Sequence, residues 1–312
     1  MERKRCNRLI DCNCDALWKI WEQQLDFYDD PELAVNYTKW MKSNVKVQCF
    51  AIFIPPSVPA EAKFIAGLQM IDIFYEHVIK PYSNVKLILN KQDIFSLKSN
   101  ERGAMLTLEG LDLIGYDIFK LRILFHLGVR MIGLSWNVPN LAIDGIMEKR
   151  GAGLSDFGRD IIQLANDEKI WVDLAHASYK GFFDALEIAD YPIVSHANVQ
   201  SIVPHPRNLD DKQIQALINK NGLIGINFVR EFVTSSNQAT FQDVYLHIYY
   251  LLASGLEEHI IFGSDFDGSD NLVHGLSSIS DYPSFYKYLE GKLSDLILEK
   301  ITWDNFIKKI PD

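Results

Sequence analysis

Residues 170–178 read IWVDLAHAS, and this stretch sets the reading of the whole chain. Ile170–Leu174 is a short apolar run, interrupted only by Asp173. It ends in the polar tip Ala175-His176, after which the chain turns amphipathic. A run that is continuous rather than alternating fits a strand buried on both faces. The same texture recurs at Leu9–Ile10, Val45–Ile54, Val85–Leu89, Ala104–Leu108, Arg130–Leu134, Pro192–Ser195, Leu223–Phe228 and Ile260–Phe262. Between these runs the clearest helical patterns are Pro31–Lys42, Glu61–His77, Ser155–Asp167, Asp210–Asn219 and Phe241–Ser254. Ser155 and Asp210 stand where N-caps are wanted.

Strands alternating with helices mean βαβ units and a parallel sheet. Nine runs supply eight strands and one extra, which fits a closed (β/α)8 TIM barrel, an α/β fold. At roughly 100–200 residues per domain, 312 residues would allow two domains. An α/β barrel, however, can run past about 250 residues as one. The expectation is therefore a single barrel domain over residues 1–312, with a short C-terminal helical extension. A doubly wound open sheet would want a Gly-rich first turn, and the first run here ends in Cys12-Asn13-Cys14-Asp15 instead.

Composition narrows the function. Hydrophobic residues at 48% and charged residues at 23% describe a globular chain. Lys plus Arg number 31 against 41 Asp plus Glu, a net charge of −10, which disfavours nucleic acid as a partner. The one basic cluster is Arg3-Lys4-Arg5. No run of about 18 apolar residues is present, so no membrane span is expected, and Met1–Arg5 leads into no apolar signal segment. Four cysteines do not make a disulfide scaffold, and the compartment expected is a reducing cytoplasm.

Active sites of such barrels gather at the C-terminal ends of the strands. There the sequence places Asp11 to Asp15, Glu109-Gly110, Ala175-His176, Ser195-His196 and the run Gly263-Ser264-Asp265-Phe266-Asp267-Gly268. Taken singly, a strand-end His is a hydrogen-bonded core residue and a strand-end Asp a helix cap or turn former. Two imidazoles and three acids at one end of one barrel point instead to a divalent metal. Side chains alternate along a strand, so Asn13 and Asp15 point one way and Cys12 and Cys14 the other. With Asp15 at the mouth, the two cysteines are expected to pack outward as small buried hydrophobes.

These residues together resemble the membrane (renal) dipeptidase family of metallopeptidases, in its soluble bacterial branch. The resemblance runs through IDCNCDAL (10–17), LEG (108–110), GLSWNVPN (133–140), GLSDFGR (153–159), VDLAHAS (172–178), IVSHAN (193–198), PHPRNLDD (204–211), GINF (225–228) and GSDFDG (263–268). It implies a barrel of the metallo-dependent hydrolase type holding two zinc ions bridged by a carboxylate. By motif, Glu109 is the bridge, His176 and His196 bind the second zinc, and Asp15 binds the first. Asp265 handles the proton of the bridging water, and Arg207 pairs with the carboxylate of a dipeptide substrate. A C-terminal D-residue is tolerated in the family, and members pair into homodimers.

One position departs from the pattern. Asn13 stands where the family has a His that binds the first zinc, and a carboxamide oxygen is a weaker ligand than imidazole. Three readings stay open: a weakened but filled first site, a mononuclear enzyme, or a relative that binds peptides without cleaving them. Asn137 is a candidate donor to an oxyanion or a turn residue before Pro139. His205 is a pocket candidate or an exposed loop residue, and Asp267 a supporting residue or a turn former. His247 reads as structural, and Asp173 as a strand residue held by backbone donors.

Overall fold

The computed structural model describes residues 7–311; the basic run Arg3-Lys4-Arg5 lies outside the described residues. All nine apolar runs form strands: β1 (Leu9–Asp11), β2 (Val45–Phe53), β3 (Val85–Leu87), β4 (Arg102–Glu109), β5 (Val129–Gly133), β6 (Trp171–Asp173), β7 (Pro192–Ala197), β8 (Leu223–Ile226) and β9 (Ile260–Phe262). Every pairing is parallel. β1 lies between β2 and β9, with Asp11 opposite Phe262, so the sheet closes. β2 pairs directly with β4, Val47 to Phe53 against Gly103 to Glu109, and skips β3. The ring is therefore β1-β2-β4-β5-β6-β7-β8-β9, a (β/α)8 barrel. β3 is the extra strand. It pairs with the start of β4, Val85 opposite Arg102, below the point where β5 joins at Leu106.

Helix starts follow their capping chemistry. Ser155 Oγ accepts from Gly158 N to open Asp156–Asp167. Asp210 and Gln213 form a reciprocal capping box at Asp211–Asn219. The helix expected over Pro31–Lys42 is shorter and covers Tyr37–Lys42, because the Asn36 side chain caps at Lys39 N. Upstream of it, the Ala34 and Val35 amides donate to Asp267 and not into a helix. The pattern Glu61–His77 forms as helix Ala60–Ile73 continued by a π-helical turn Phe74–Ile79.

One buried cluster takes Ile10, Val47, Cys49, Met105, Met131, Trp171, Ile193, Leu223 and Ile261 from the eight ring strands, with Cys12 just past β1, and fills the barrel interior. The C-terminal turns Lys300–Asp304 and Asn305–Lys309 add Trp303, Phe306 and Ile307 to it. Trp171 and Phe306 stand 4.6 Å apart, ring to ring. The outward packing expected of both cysteines holds only for Cys14, which joins the cluster under the helices. Cys12 faces the barrel interior. β1 ends at Asp11, so strict alternation does not carry through residues 12–15. Among the described residues, no helix is long and apolar enough to cross a membrane.

Candidate metal centre

The polar strand ends meet at one mouth of the barrel. Glu109 closes β4, His176 follows β6, His196 lies in β7 and Asp265 follows β9. His176 and Asp265 hold φ of +66° and +65°. Side chains other than Gly rarely adopt that region, and such strain clusters at functional sites. Glu109, His176 and His196 are buried, and their ligand atoms all lie within 4.8 Å of one another. Glu109 Oε1 stands 3.1 Å from His176 Nε2 and 3.9 Å from His196 Nε2.

The far nitrogens settle which atoms face the centre. His176 Nδ1 lies 2.8 Å from Asn137 Oδ1, an oxygen that can only accept, so Nδ1 carries the proton. Ser195 Oγ donates to Asp173 Oδ2 at 2.5 Å and therefore accepts from His196 Nδ1 at 2.8 Å. Both Nε2 lone pairs then point at one another across 2.9 Å. Two neutral imidazoles cannot hydrogen-bond in that arrangement, whereas a cation between them satisfies both. Burial keeps both rings below the usual imidazole range, His176 well below it with Arg207 adding to the effect. They are thus in the unprotonated form a metal requires.

The other side of the centre is made of carboxylates. Asp15 occupies the N-cap position of helix Ala16–Gln23 but makes no capping bond. Its Oδ1 and Glu109 Oε2 are buried acceptors without partners. Asp265 Oδ1 accepts from Asn13 Nδ2 at 3.3 Å, and its Oδ2 from Asn227 Nδ2 at 3.0 Å. A Cβ on Gly268 would fall 2.4 Å from Asp15 Oδ2 and 2.7 Å from Asp265 Oδ1, so only glycine leaves room for this pair. Burial, then Glu109 and Asp265, push the Asp15 carboxyl well above the carboxylate range. Burial also raises Asp265, but the Asn227 amide and the Arg207 charge act against it and the carboxyl stays low. Orphaned oxygens opposite paired imidazole lone pairs fit a bound divalent cation.

The remaining candidates fall around this core. Arg207 is buried, with Nη2 donating to His196 O at 3.2 Å and Nε unpartnered. His205 is half-buried, packs tilted against Phe232 and accepts from Arg207 N, so it braces that loop. His247 is structural: Val199 N donates to its Nδ1 and its Nε2 bonds Val233 O. Asp173 accepts from Ala175 N and Ser195 N. Asp267 takes the Ala34 and Val35 amides, with Lys19 at 3.7 Å. Sequence reasoning passed over Asn227, although it follows β8 at the same mouth, and Ser195, which links His196 to Asp173. A cavity of about 240 Å³ opens above Asp15, Glu109, His176 and Asp265.

The profile of the membrane dipeptidase family, peptidase family M19, matches residues 4–312. An uncharacterized protein in the pqqA 5′ region of Klebsiella pneumoniae is 29% identical over 253 residues, which cover 77% of this chain and 93% of that one. Dipeptidase tcpJ of Claviceps purpurea is 32% identical over 248 residues, 77% of this chain but 58% of its own length. Two crystal structures share the fold across 97% of this chain with TM-scores of 0.90. One is the dipeptidase AC, a metallopeptidase, at 22% identity over 97% of its chain. The other is a metallopeptidase from Rhodobacter sphaeroides liganded with a phosphinate mimic of L-Ala-D-Ala, at 20% identity over 99% of its chain. On the family match, which spans nearly every residue and includes each strand end described above, the chain belongs to the membrane dipeptidase family of metallopeptidases.

Proposed function

We propose that this protein is a zinc-dependent dipeptidase that hydrolyses the peptide bond of dipeptides. The observation that carries the reading is the convergence of His176 Nε2, His196 Nε2 and Glu109 Oε1 beside the orphaned oxygens of Glu109 and Asp15. His176, His196 and Glu109 would hold one ion; Glu109, Asp15 and Asp265, with Asn13, form the second position. Ions bound there would polarise the scissile carbonyl and acidify a water between them.

The rest is the work of the chain itself. Asp265, held by Asn13 and Asn227 and kept ionised, takes the water's proton and hands it to the leaving amine. Arg207, buried and with a free Nε–H, pairs with the dipeptide's terminal carboxylate. Asn137 holds the His176 ring; its carboxamide oxygen is spent there, which leaves only the amide N–H group for an oxyanion. A cavity of about 240 Å³ suits a dipeptide. The L-Ala-D-Ala mimic bound by a structural neighbour supports trying a D-residue at the C-terminal position. The whole chain would act as one unit, as a homodimer, and the free buried cysteines Cys12, Cys14 and Cys49 suit a reducing cytoplasm.

The experiment is release of free amino acids from a panel of L,L and L,D dipeptides by zinc-loaded and chelator-stripped protein. Turnover that needs the metal is expected. A loaded protein that binds dipeptides without cleaving any would favour the second reading, a metal-impaired peptide-binding relative. Asn13 motivates that alternative, because it stands where the family has a ligand His and its Nδ2 donates to Asp265.

A further inference from the structure

The cavity has an ion-facing floor and a wall of different character. Trp18, Phe53, Pro55, Pro56 and Trp136 form that wall. Phe53 stands edge-on to Trp18 at 5.7 Å and tilted against Trp136 at 5.3 Å, and Trp136 lies 6.2 Å from the His176 ring. At Trp136 the wall is also backed by close backbone packing. A Cβ on Gly145 would sit 2.1 Å from Trp136 O, so the backbones of 136 and 145 are in direct contact, and Met147 N donates to Asn137 O at 3.0 Å. The wall carries no charged side chain. The charges in the cavity belong to the floor: Asp15, Glu109 and Asp265.

Position in the ring gives this wall a direction. Trp18 follows β1, Phe53 ends β2 and Trp136 follows β5, which places all three on the arc β1-β2-β4-β5. Arg207 follows β7, bonded to His196 O and with its guanidinium 5.7 Å from the Phe232 ring that follows β8. That is the opposite arc; Glu109 ends β4 in the first arc, His196 lies in β7 in the second, and with His176 after β6 their ligand atoms meet within 4.8 Å of one another. A dipeptide whose carboxylate meets Arg207 and whose scissile carbonyl lies over the ligand cluster must extend its first residue toward the aromatic wall.

We infer that Trp18, Phe53 and Trp136 form the side-chain pocket for the N-terminal residue of the substrate, and that the enzyme selects dipeptides beginning with a large apolar residue. This rests on the dipeptidase reading and on Arg207 as the carboxylate partner. Apolar burial against a preformed aromatic wall separates a large side chain from glycine by about tenfold to a hundredfold in kcat/KM. A charged first side chain would lose its hydration there without gaining a partner.

The test uses zinc-loaded full-length protein and two series, X-Ala and Ala-X, with X as Gly, Leu, Phe, Asp and Lys. Leu-Ala and Phe-Ala are expected to exceed Gly-Ala by about tenfold to a hundredfold in kcat/KM, while the Ala-X series spreads much less. Trp136→Ala and Phe53→Ala are expected to shrink the ratio of Phe-Ala to Gly-Ala. A flat X-Ala series, or one led by Asp-Ala or Lys-Ala, overturns the inference and leaves the dipeptidase reading standing. If nothing is cleaved, the dipeptidase reading fails and tryptophan fluorescence titration of the wild-type protein decides this one. Tighter binding of Phe-Ala than of Gly-Ala upholds it, and equal binding overturns it.

Discussion

The two halves of the metal centre are held by the same backbone device and differ in what that device touches. On the imidazole half, Asp173 Oδ1 accepts from Ala175 N and Ser195 N, and Oδ2 from Ser195 Oγ. On the carboxylate half, Asp11 Oδ1 accepts from Asn13 N and Ser264 N, and Oδ2 from Ser264 Oγ. In both, the residue after the serine faces the centre: His196 on one side, Asp265 on the other. Ser195 Oγ continues to the ligand ring at His196 Nδ1. Beyond Asp11, Ser264 Oγ meets backbone, 3.1 Å from Asn13 O and 3.2 Å from Phe266 N. The imidazole half therefore has its tautomer and orientation fixed from behind. The carboxylate half needs no tautomer, and its hold on a cation depends on how many oxygens turn inward, where Asn13 presents N–H groups.

Glu109 is proposed to serve both halves, so its loss is expected to have the largest effect. Glu109→Gln is expected to lower kcat/KM by about a thousandfold or more, since the shared negative charge stabilises several kcal/mol of developing charge. Steady-state kinetics with metal analysis after dialysis would check this. Activity within tenfold of wild type would mean the halves are not joined at Glu109. Asn13→His comes next, since an imidazole there would give the carboxylate half the donor it lacks. Wild-type protein is expected to keep fewer than two zinc ions per chain after dialysis, and Asn13→His to keep two, with kcat/KM rising on the order of tenfold. Wild-type protein that already keeps two would show the halves to be equal in affinity.

The serines separate the two devices more finely. Ser195→Ala frees the His196 ring and is expected to weaken zinc binding by about 10- to 100-fold in a competition titration. Ser264→Ala removes a buried bond to a carboxylate and is expected to cost about 1–3 kcal/mol of stability in urea unfolding, with zinc affinity changed by less. Equal losses of zinc affinity in the two variants would erase the distinction between the halves.

The legible parts of this molecule are those that depend on local order. Each strand and the polar residue at its tip could be read because burial on both faces makes the run continuous and the barrel puts chemistry at one end. Val85–Leu89 looked like any other run. Only its pairing with the start of β4 shows that it stands outside the ring. Cys12 was misplaced because alternation lasts no longer than the strand, and β1 stops at Asp11. The two serine devices were invisible for a different reason: they join positions 22 and 253 residues apart, and no local pattern reports such a pairing. The contact of Asn137 Oδ1 with His176 spans 39 residues and is equally illegible locally; it occupies the oxygen and leaves the role of oxyanion donor to the amide N–H group.

The smallest expected effect concerns how the imidazole half is anchored. Val199, three residues past His196, donates to His247 Nδ1, and His247 Nε2–H donates to Val233 O, so this ring ties the loop after β7 to the helices beyond it. It is buried, and burial holds it down to about 4 from the ordinary 6.5. Above pH 6.5 the ring is neutral in folded and unfolded chain alike, and the full stabilisation is present. Between 6.5 and 4 the unfolded chain binds the proton and the folded one does not, so stability falls as the pH falls, by up to about 3 kcal/mol across the window. His247→Gln keeps an acceptor and a donor but does not titrate. Urea unfolding of chelator-stripped protein at a series of pH values is expected to show a shallower acid loss for the variant between pH 6.5 and 4. Parallel curves would mean that the acid sensitivity comes from elsewhere, and that the loop bearing Arg207 is not pinned through a neutral His247.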